Sequence, residues 1–219
     1  MKEFNKDDTK SRFIKSNDDQ TNFLLYPIPK NWWSRLYEYK WASKFVEEGD
    51  VCLDAACGTF HHLKFYLAYL CKEVYACDLD KTVLDKERML YSIEASFGKS
   101  ARDVSENIYD KINFSDDDLT KLSYTDKKFN KVYCISVIEH LPEELIGPVF
   151  KELTRVLHDD GLLVLSFDYP DIKFEILSKA IEDANLSFYN GVDYEMPSDV
   201  LESWTIPGLK CFRALLKKK

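Results

Sequence analysis

From residue 51 onward, two kinds of hydrophobic pattern alternate along the chain. Short, continuously apolar runs, typical of strands buried on both faces, stand at VCLDA, EVYAC, KINF, KVYCISV and GLLVLSF. Between them, apolar residues recur with helical spacing, which predicts helices over residues 62–70, 81–96, 148–157 and 172–185. Buried strands that alternate with helices predict an α/β fold with helices on both faces of a mostly parallel sheet.

The connections between strands narrow the predicted architecture. Because crossovers between parallel strands are right-handed, the pattern favours a doubly wound, Rossmann-like sheet of about seven strands. The final apolar run, LKCFRALLKK, predicts a closing antiparallel strand that pairs with residues 187–195. Residues 97–111 fit neither pattern clearly, and we predict an irregular connector there.

The chain is predicted to form one domain with a short appendage. Residues 1–30 are mostly polar and of mixed charge, which predicts an arm or a lid. A single domain is predicted over residues 31–219. It comprises a leading aromatic helix (31–48), a core (50–170), and a C-terminal helix and strand pair (171–219).

An aromatic stripe predicts the leading helix. Trp33, Tyr37, Trp41 and Phe45 recur every four residues, and Asn31 is placed to cap the helix start. Such a stripe more often packs into a core than forms a platform for a substrate, so we predict packing.

Composition restricts the class of partner. The net charge is −8, so general binding to the phosphate backbone of nucleic acids is not expected. None of the six cysteines forms a CxxC pair, which is typical of free thiols in a reducing compartment, and no metal site is predicted. The chain has neither a long apolar span nor an N-terminal signal sequence, so we expect a cytoplasmic protein without membrane attachment.

Two acidic residues at strand ends are the strongest chemical signal. In VCLDAACGTF, a buried strand carries Asp54 near its end and then turns through small residues, which allow a ligand to approach the backbone. In EVYACD, the next strand ends at Asp78, 24 residues later. In a doubly wound sheet this second acid lies beside the first turn and can accept hydrogen bonds from a ribose diol. Each aspartate could instead only cap its own turn.

An ordered series of motifs over about residues 50–170 resembles a known family. LDAACGT, ACDLD, DDDLTKLSY, FNKVYCISVIEHL and FKELTRVLHDDGLLVLSF follow one another as in class I S-adenosylmethionine-dependent methyltransferases, in particular the type 11 small-molecule group. The resemblance implies S-adenosylmethionine as cofactor, S-adenosylhomocysteine as product, and methyl transfer to an oxygen or nitrogen nucleophile of a small molecule.

The resemblance also implies roles for individual residues. Asp54 would orient the methionine part of the cofactor, Asp78 would bind both ribose hydroxyls, and Asp118 would bind the adenine amine beside the Leu119 amide. Ser136 would lie beneath the sulfonium. The full set of predicted cofactor contacts is Arg35, Asp54, Ala56, Cys57, Gly58, Thr59, Phe60, Asp78, Leu79, Asp118, Leu119 and Ser136.

Several of these residues have alternative interpretations. Ala56 and Phe60 replace two of the three glycines usual in the first turn, and Phe60 would reshape the methionine pocket or weaken cofactor binding. Asp118 lies in an acidic triplet; the alternatives to its adenine contact are that Asp117 makes the contact instead or that the whole run is a solvated charge cluster. Arg35 would pair with the cofactor carboxylate or form a surface ion pair with Glu38 or Asp50.

The candidate catalytic residues are Glu139 and His140, which follow the fourth strand of the core. His140 is a candidate general base because its reference pKa is near neutral, although a positioning role fits equally well. The adjacent His61 and His62 would point in different directions on a helix and make a poor metal-ligand pair.

Two other functions are alternatives to methyl transfer. One is a catalytically inactive protein of methyltransferase type that binds the cofactor or regulates a partner. The other, a nicotinamide-dependent oxidoreductase, requires a fuller GxGxxG and a YxxxK set, and neither occurs. SVIEHL stands where adenine-N6 and glutamine-amide methyltransferases carry an Asn-Pro-Pro-Tyr type motif, which argues against those acceptors.

Overall fold

A computed structural model describes residues 4–219. The strands are β1 (Arg12–Phe13), β2 (Phe23–Leu24), β3 (Tyr26–Pro27), β4 (Val51–Ala55), β5 (Glu73–Cys77), β6 (Ile112–Ser115), β7 (Phe129–Ile135), β8 (Leu157–Tyr169), β9 (Leu186–Phe188) and β10 (Lys210–Lys218). The α-helices are α1 (Lys6–Thr9), α2 (Arg35–Ala42), α3 (Leu63–Leu70), α4 (Lys86–Phe97), α5 (Lys99–Tyr109), α6 (Glu143–Val156) and α7 (Phe174–Asp183). Short 3₁₀ helices cover Ser43–Phe45, Lys81–Leu84 and Ile138–His140.

Eight strands form one sheet, and the predicted doubly wound architecture is confirmed. The order is β1-β10-β8-β7-β4-β5-β6, with β9 also paired to β10. The five strands β4 to β8 pair in parallel, whereas β10 runs antiparallel to β8. The predicted closing strand is therefore present. The extra strand relative to the predicted number is β1, which extends the sheet edge from within residues 1–30.

Helix boundaries differ from the sequence prediction in three places. The predicted connector 97–111 contains α5, whose sequence KSARDVSENIY buries only a narrow face, including Ala101 and Ile108. The predicted helix start at residue 148 is wrong, because α6 begins at Glu143 and contains Pro148. The capping role of Asn31 is also wrong, since α2 begins at Arg35 after Ser34. This helix ends at Ala42 and is followed by the 3₁₀ helix Ser43–Phe45.

The sheet is buried on both faces, which accounts for the continuously apolar strands. Alternate residues of β8 enter opposite cores, with Val164 in one hydrophobic cluster and Leu163 and Leu165 in the other. Trp33, Tyr37, Trp41 and Phe45 are all buried, so the aromatic stripe packs as predicted. Among residues 4–219, no helix is long and apolar enough to cross a bilayer.

Candidate functional site

The carboxyl ends of β4 and β5 bring the two predicted acids to one edge of the sheet. Asp54 pairs in register with Ala76, two residues before Asp78. The turn after β4 is tied to β5 by two hydrogen bonds: Cys57 N–H donates to Cys77 O at 2.9 Å, and Gly58 N–H donates to Asp78 Oδ2 at 2.8 Å. We refer to residues 56–61 as the first turn. The first turn begins two residues after Asp54 and is hydrogen-bonded to Asp78.

Asp54 is held in an environment that weakens its acidity. Its side chain is buried, and Oδ2 has no hydrogen-bond partner within the described residues. Burial raises the pKa of Asp54 to about 7, although the positive charge and the backbone N–H of Lys64 act in the opposite direction. An unpartnered buried carboxyl oxygen is costly, so this atom is suited to accept a hydrogen bond from a ligand.

Asp78 caps its turn, which is one of the two roles predicted from the sequence, and its carboxylate can accept further hydrogen bonds. Oδ1 accepts from Asp80 N–H at 2.9 Å, and Oδ2 accepts from Gly58 N–H. Because a carboxylate offers about four acceptor positions, both oxygens retain lone pairs for a diol. The neighbouring Leu79 is 68% exposed, which leaves an apolar surface beside the carboxylate.

Ala56 occupies a backbone conformation that favours glycine. Its φ is +55°, in the left-handed region, and Gly58 in the same turn has φ +59°. The methyl group of Ala56 therefore stores strain that a glycine would not.

We expect Ala56→Gly to be tolerated or stabilising by up to about 1 kcal/mol, because relief of the left-handed strain outweighs the added flexibility of the unfolded chain. Chemical denaturation of both proteins measures the change. Gly147→Ala is the control. Gly147 lies inside α6 with open space around the added methyl group, so its free energy of unfolding should change only by the ordinary difference in helix propensity. A loss of more than 1 kcal/mol in Ala56→Gly would contradict the strain argument.

Phe60 belongs to an aromatic cluster that covers the first turn. Its ring centroid lies 5.9 Å from that of Trp32, 5.3 Å from that of His61 and 6.2 Å from that of Phe97. The cluster joins the segment before α2, the first turn and the end of α4. Thr59, by contrast, lines an open cavity of about 630 Å³ together with Asp80 and Arg102.

His61, the last residue of the first turn, and His62, which follows it, are both neutral at pH 7. Burial lowers the pKa of His61 to about 3 and that of His62 to about 4. The Nε2 atom of His62 lies 3.1 Å from Pro27 O, and its ring centroid is 4.1 Å from that of Tyr26. In the part of the chain that the structure describes, no group of three or more His, Cys, Asp or Glu residues is arranged to hold a metal ion.

Arg35 forms an ion pair with Glu38, but not at the surface. Its Nη1 lies 2.5 Å from Glu38 Oε2 and donates to Ser136 Oγ at 2.7 Å. Burial alone would raise the pKa of Glu38, but Arg35 and the hydroxyls of Ser166 and Ser136 outweigh it and hold that pKa below its usual range. Asp50, the other proposed partner, pairs with Lys131 at 3.0 Å instead.

Glu38 connects α2 to three neighbouring strands, β7, β8 and β10. Its Oε1 accepts hydrogen bonds from Ser136 Oγ at 2.7 Å and from Ser166 Oγ at 2.5 Å, and Cys211 Sγ lies 3.5 Å away. Ser136 follows β7, where it adopts a φ of +48°. The network therefore places the Arg35 guanidinium against the carboxyl end of β7, on the same edge as Asp54.

Glu139 and His140 differ sharply in environment. His140 is exposed. Glu139 is buried: its Oε1 accepts from Asp168 N–H at 2.9 Å, its Oε2 has no partner among the described residues, and burial raises its pKa to about 8. Asp168, at the end of β8, also has an unpartnered Oδ1, and burial raises its pKa to about 6.

The acidic triplet after β6 lies beside β5 but is largely engaged in its own turn. Asp118 is exposed, and its Oδ1 accepts from the backbone N–H and hydroxyl of Thr120. Asp117 Oδ2 accepts from the hydroxyls of Ser115 and Ser123. Leu119 is buried in the core. The triplet is thus placed at the correct sheet edge for an adenine contact, which stays a prediction.

Three polar residues of this region, the buried Lys64 and Glu38 and the partly buried Asp168, were not chosen as candidate site residues from the sequence. Lys64 is the one charged residue in the apolar run LKFYLAYL, and this anomaly was a signal that could have identified it. Glu38 is hidden within the aromatic stripe, and Asp168 lies in a polar strand end that gave no distinctive pattern.

A family model described as "Methyltransferase domain" matches residues 53–165, which is more than half of the chain. No curated protein matches the sequence.

Solved structures of low sequence identity share the fold. A TehB-like S-adenosylmethionine-dependent methyltransferase from Corynebacterium glutamicum is 19% identical, with 83% of this chain and 87% of that chain covered and a TM-score of 0.54. The 1,6-didemethyltoxoflavin-N1-methyltransferase of Burkholderia thailandensis, solved with bound 1,6-didemethyltoxoflavin and S-adenosylhomocysteine, is 14% identical over 78% and 72% of the chains, with a TM-score of 0.54. The [4+2]-cyclase SpnF is 12% identical over 95% and 87% of the chains, with a TM-score of 0.60.

Proposed function

The chain belongs to the methyltransferase-domain family, and from this premise we propose that it transfers a methyl group from S-adenosylmethionine to an oxygen or nitrogen atom of a small molecule. The observation that carries the proposal is the pair Asp54 and Asp78, held at the ends of neighbouring parallel strands by the first turn. Ligands of open α/β sheets bind at this edge, outside the carboxyl ends of the strands.

The polar groups around the first turn fit the two ends of this cofactor. The unpartnered Oδ2 of Asp54 suits the cofactor ammonium, and the Arg35 guanidinium suits its carboxylate. Asp78 suits the ribose diol, and the exposed Leu79 offers apolar contact to the adenine ring. When bound, the cofactor supplies a methyl group on a sulfonium that is already activated for displacement.

The protein therefore contributes mainly proximity, alignment and exclusion of water. A base is required only when the acceptor arrives protonated. Glu139 is better placed for this role than His140, because its buried carboxyl has a free oxygen and a pKa of about 8. Asp168, with a pKa of about 6, also supplies negative charge at the end of β8 at neutral pH, which favours an acceptor that carries a positive charge or an amine.

A second candidate function is cofactor binding without methyl transfer. It is favoured by the replacement of two first-turn glycines by Ala56 and Phe60. The similarity in fold to a protein described as a [4+2]-cyclase shows that this architecture does not by itself specify methyl transfer.

Calorimetry followed by an acceptor screen tests both candidates. We expect S-adenosylmethionine and S-adenosylhomocysteine to bind with 1:1 stoichiometry and NADH not to bind. Mass spectrometry of a panel of small amines, phenols and nitrogen heterocycles then detects a methylated product. Failure of both cofactor forms to bind a folded protein would exclude the proposal. Binding without turnover of any compound class would favour the second candidate.

A further inference from the structure

A fully buried lysine lies inside the first turn. Lys64, in the opening turn of α3, donates hydrogen bonds from Nζ to three backbone carbonyls: Cys57 O at 3.1 Å, Gly58 O at 2.8 Å and His61 O at 2.9 Å. These bonds satisfy all three donors of an ammonium group. The backbone carbonyls of the turn therefore stabilise the lysine charge. Among residues 4–219, no carboxylate is hydrogen-bonded to Lys64 Nζ.

Burial of this charge requires compensation beyond packing. Burial lowers the pKa of Lys64, while Cys57, Asp54 and Asp78 act in the opposite direction. An apolar side chain of the same length would occupy this buried position without the cost of desolvation. The retained charge therefore points to a role in the site.

The bonds of Lys64 and Asp78 hold opposite sides of the same short segment. Lys64 binds the carbonyl of Gly58, whereas Asp78 binds its N–H. This double attachment offsets the strain of Ala56 and the bulk of Phe60, which stand where the family usually has glycine. The first turn is thereby fixed with Gly58 as the one glycine among residues 56–61.

Lys64 also acts on Asp54. Within the described residues, the groups that interact electrostatically with Asp54 are Lys64, Asp78, Tyr39, Cys57, Cys77 and Cys134. Lys64 is the cation of this set, and Asp78 is a second acid that disfavours ionisation of Asp54. Without Lys64, both burial and Asp78 would favour the neutral form of Asp54.

We propose that Lys64 is a positioning residue that fixes the first turn and places its charge where it favours the ionised form of Asp54, which receives the cofactor ammonium. This inference rests on the proposed function, since it assigns Asp54 to that ligand. It goes further by naming an internal cation as the group that sets the pH range of cofactor binding.

The test compares wild type with Lys64→Met and Lys64→Gln in two measurements. Titration of the Asp54 carboxyl by ¹³C NMR is carried out on the ligand-free proteins, and the Kd of S-adenosylmethionine is measured by calorimetry from pH 6 to pH 9. Removal of a nearby opposite charge raises a carboxyl pKa by about 1 unit or more. We therefore expect the Asp54 midpoint to rise by at least that amount. Compared with wild type at the same pH, the affinity of the variants at pH 7 should be about five- to tenfold lower, and this difference should narrow at higher pH.

Lys81→Met is the matched control, because the Lys81 side chain is 82% exposed and pairs only loosely with Asp116 at the same sheet edge. It should leave both measurements unchanged. Lys64→Gln, which keeps donors but no charge, serves if Lys64→Met does not fold. An unchanged Asp54 midpoint and pH profile in a folded variant would overturn the inference. Lack of cofactor binding by wild type would instead refute the proposed function, and the ligand-free titration would still decide the electrostatic role of Lys64.

Discussion

Glu38→Ala is expected to destabilise the folded protein by about 3–5 kcal/mol, because it leaves the largely buried Arg35 guanidinium, whose side chain is 17% exposed, without its counter-charge. Glu38 is fully buried and also accepts the hydroxyls of Ser136 and Ser166, which would lose their acceptor. Urea denaturation followed by circular dichroism measures the difference in the free energy of unfolding. The effect should be among the largest of any single polar substitution in the chain.

Two controls sharpen this prediction. Glu143→Ala breaks an ion pair with Lys173 in which both side chains are more than half exposed, so its effect should stay within about 1 kcal/mol. The low pKa of Glu38 means that its stabilisation is present above pH 4.5, its ordinary value, and is lost as the pH falls through the lower folded-state value. The difference between wild type and Glu38→Ala should therefore narrow on acidification. Equal losses in Glu38→Ala and Glu143→Ala would refute the buried ion pair.

Asp78→Ala is expected to weaken the binding of S-adenosylmethionine about ten- to a hundredfold, since a hydrogen bond to a charged acceptor contributes about 1.5–3 kcal/mol. The same change removes the bond from Gly58 N–H, so part of the loss would arise through the first turn. Asp78→Asn retains an acceptor for that bond and separates the two contributions. Calorimetry with folded variants gives the Kd values.

Asp80→Ala is the matched control for Asp78. Its carboxylate is exposed and caps the 3₁₀ helix Lys81–Leu84 by accepting from Thr82 N–H at 2.9 Å. Removal of this acid changes the local charge by the same amount without touching the first turn. We expect cofactor affinity within about twofold of wild type. An unchanged Kd in Asp78→Ala would remove that residue from the binding site.

The sequence pattern predicted where the first turn lies, but it did not predict which of the side chains near it are buried. Local pattern identified Asp54 and Asp78 because both stand at the ends of apolar runs. It could not distinguish the buried Glu139 from the exposed His140, since both follow the same strand and differ only in what packs over them. The Arg35–Glu38 spacing was visible as a helical pair, yet its burial depends on strands about a hundred residues away.

Hydrophobic periodicity in the sequence alone determined the order of buried strands and helices, and with it the parallel sheet and the edge where strand ends meet. That signal is local, because each element must bury its own apolar face. Tertiary structure decided what no local pattern contains: that Lys64 points its charge into the first turn, and that Glu38 joins α2 to β7 and β8. These contacts depend on desolvation and on partners distant along the chain, so they exist only once the fold has brought those partners together.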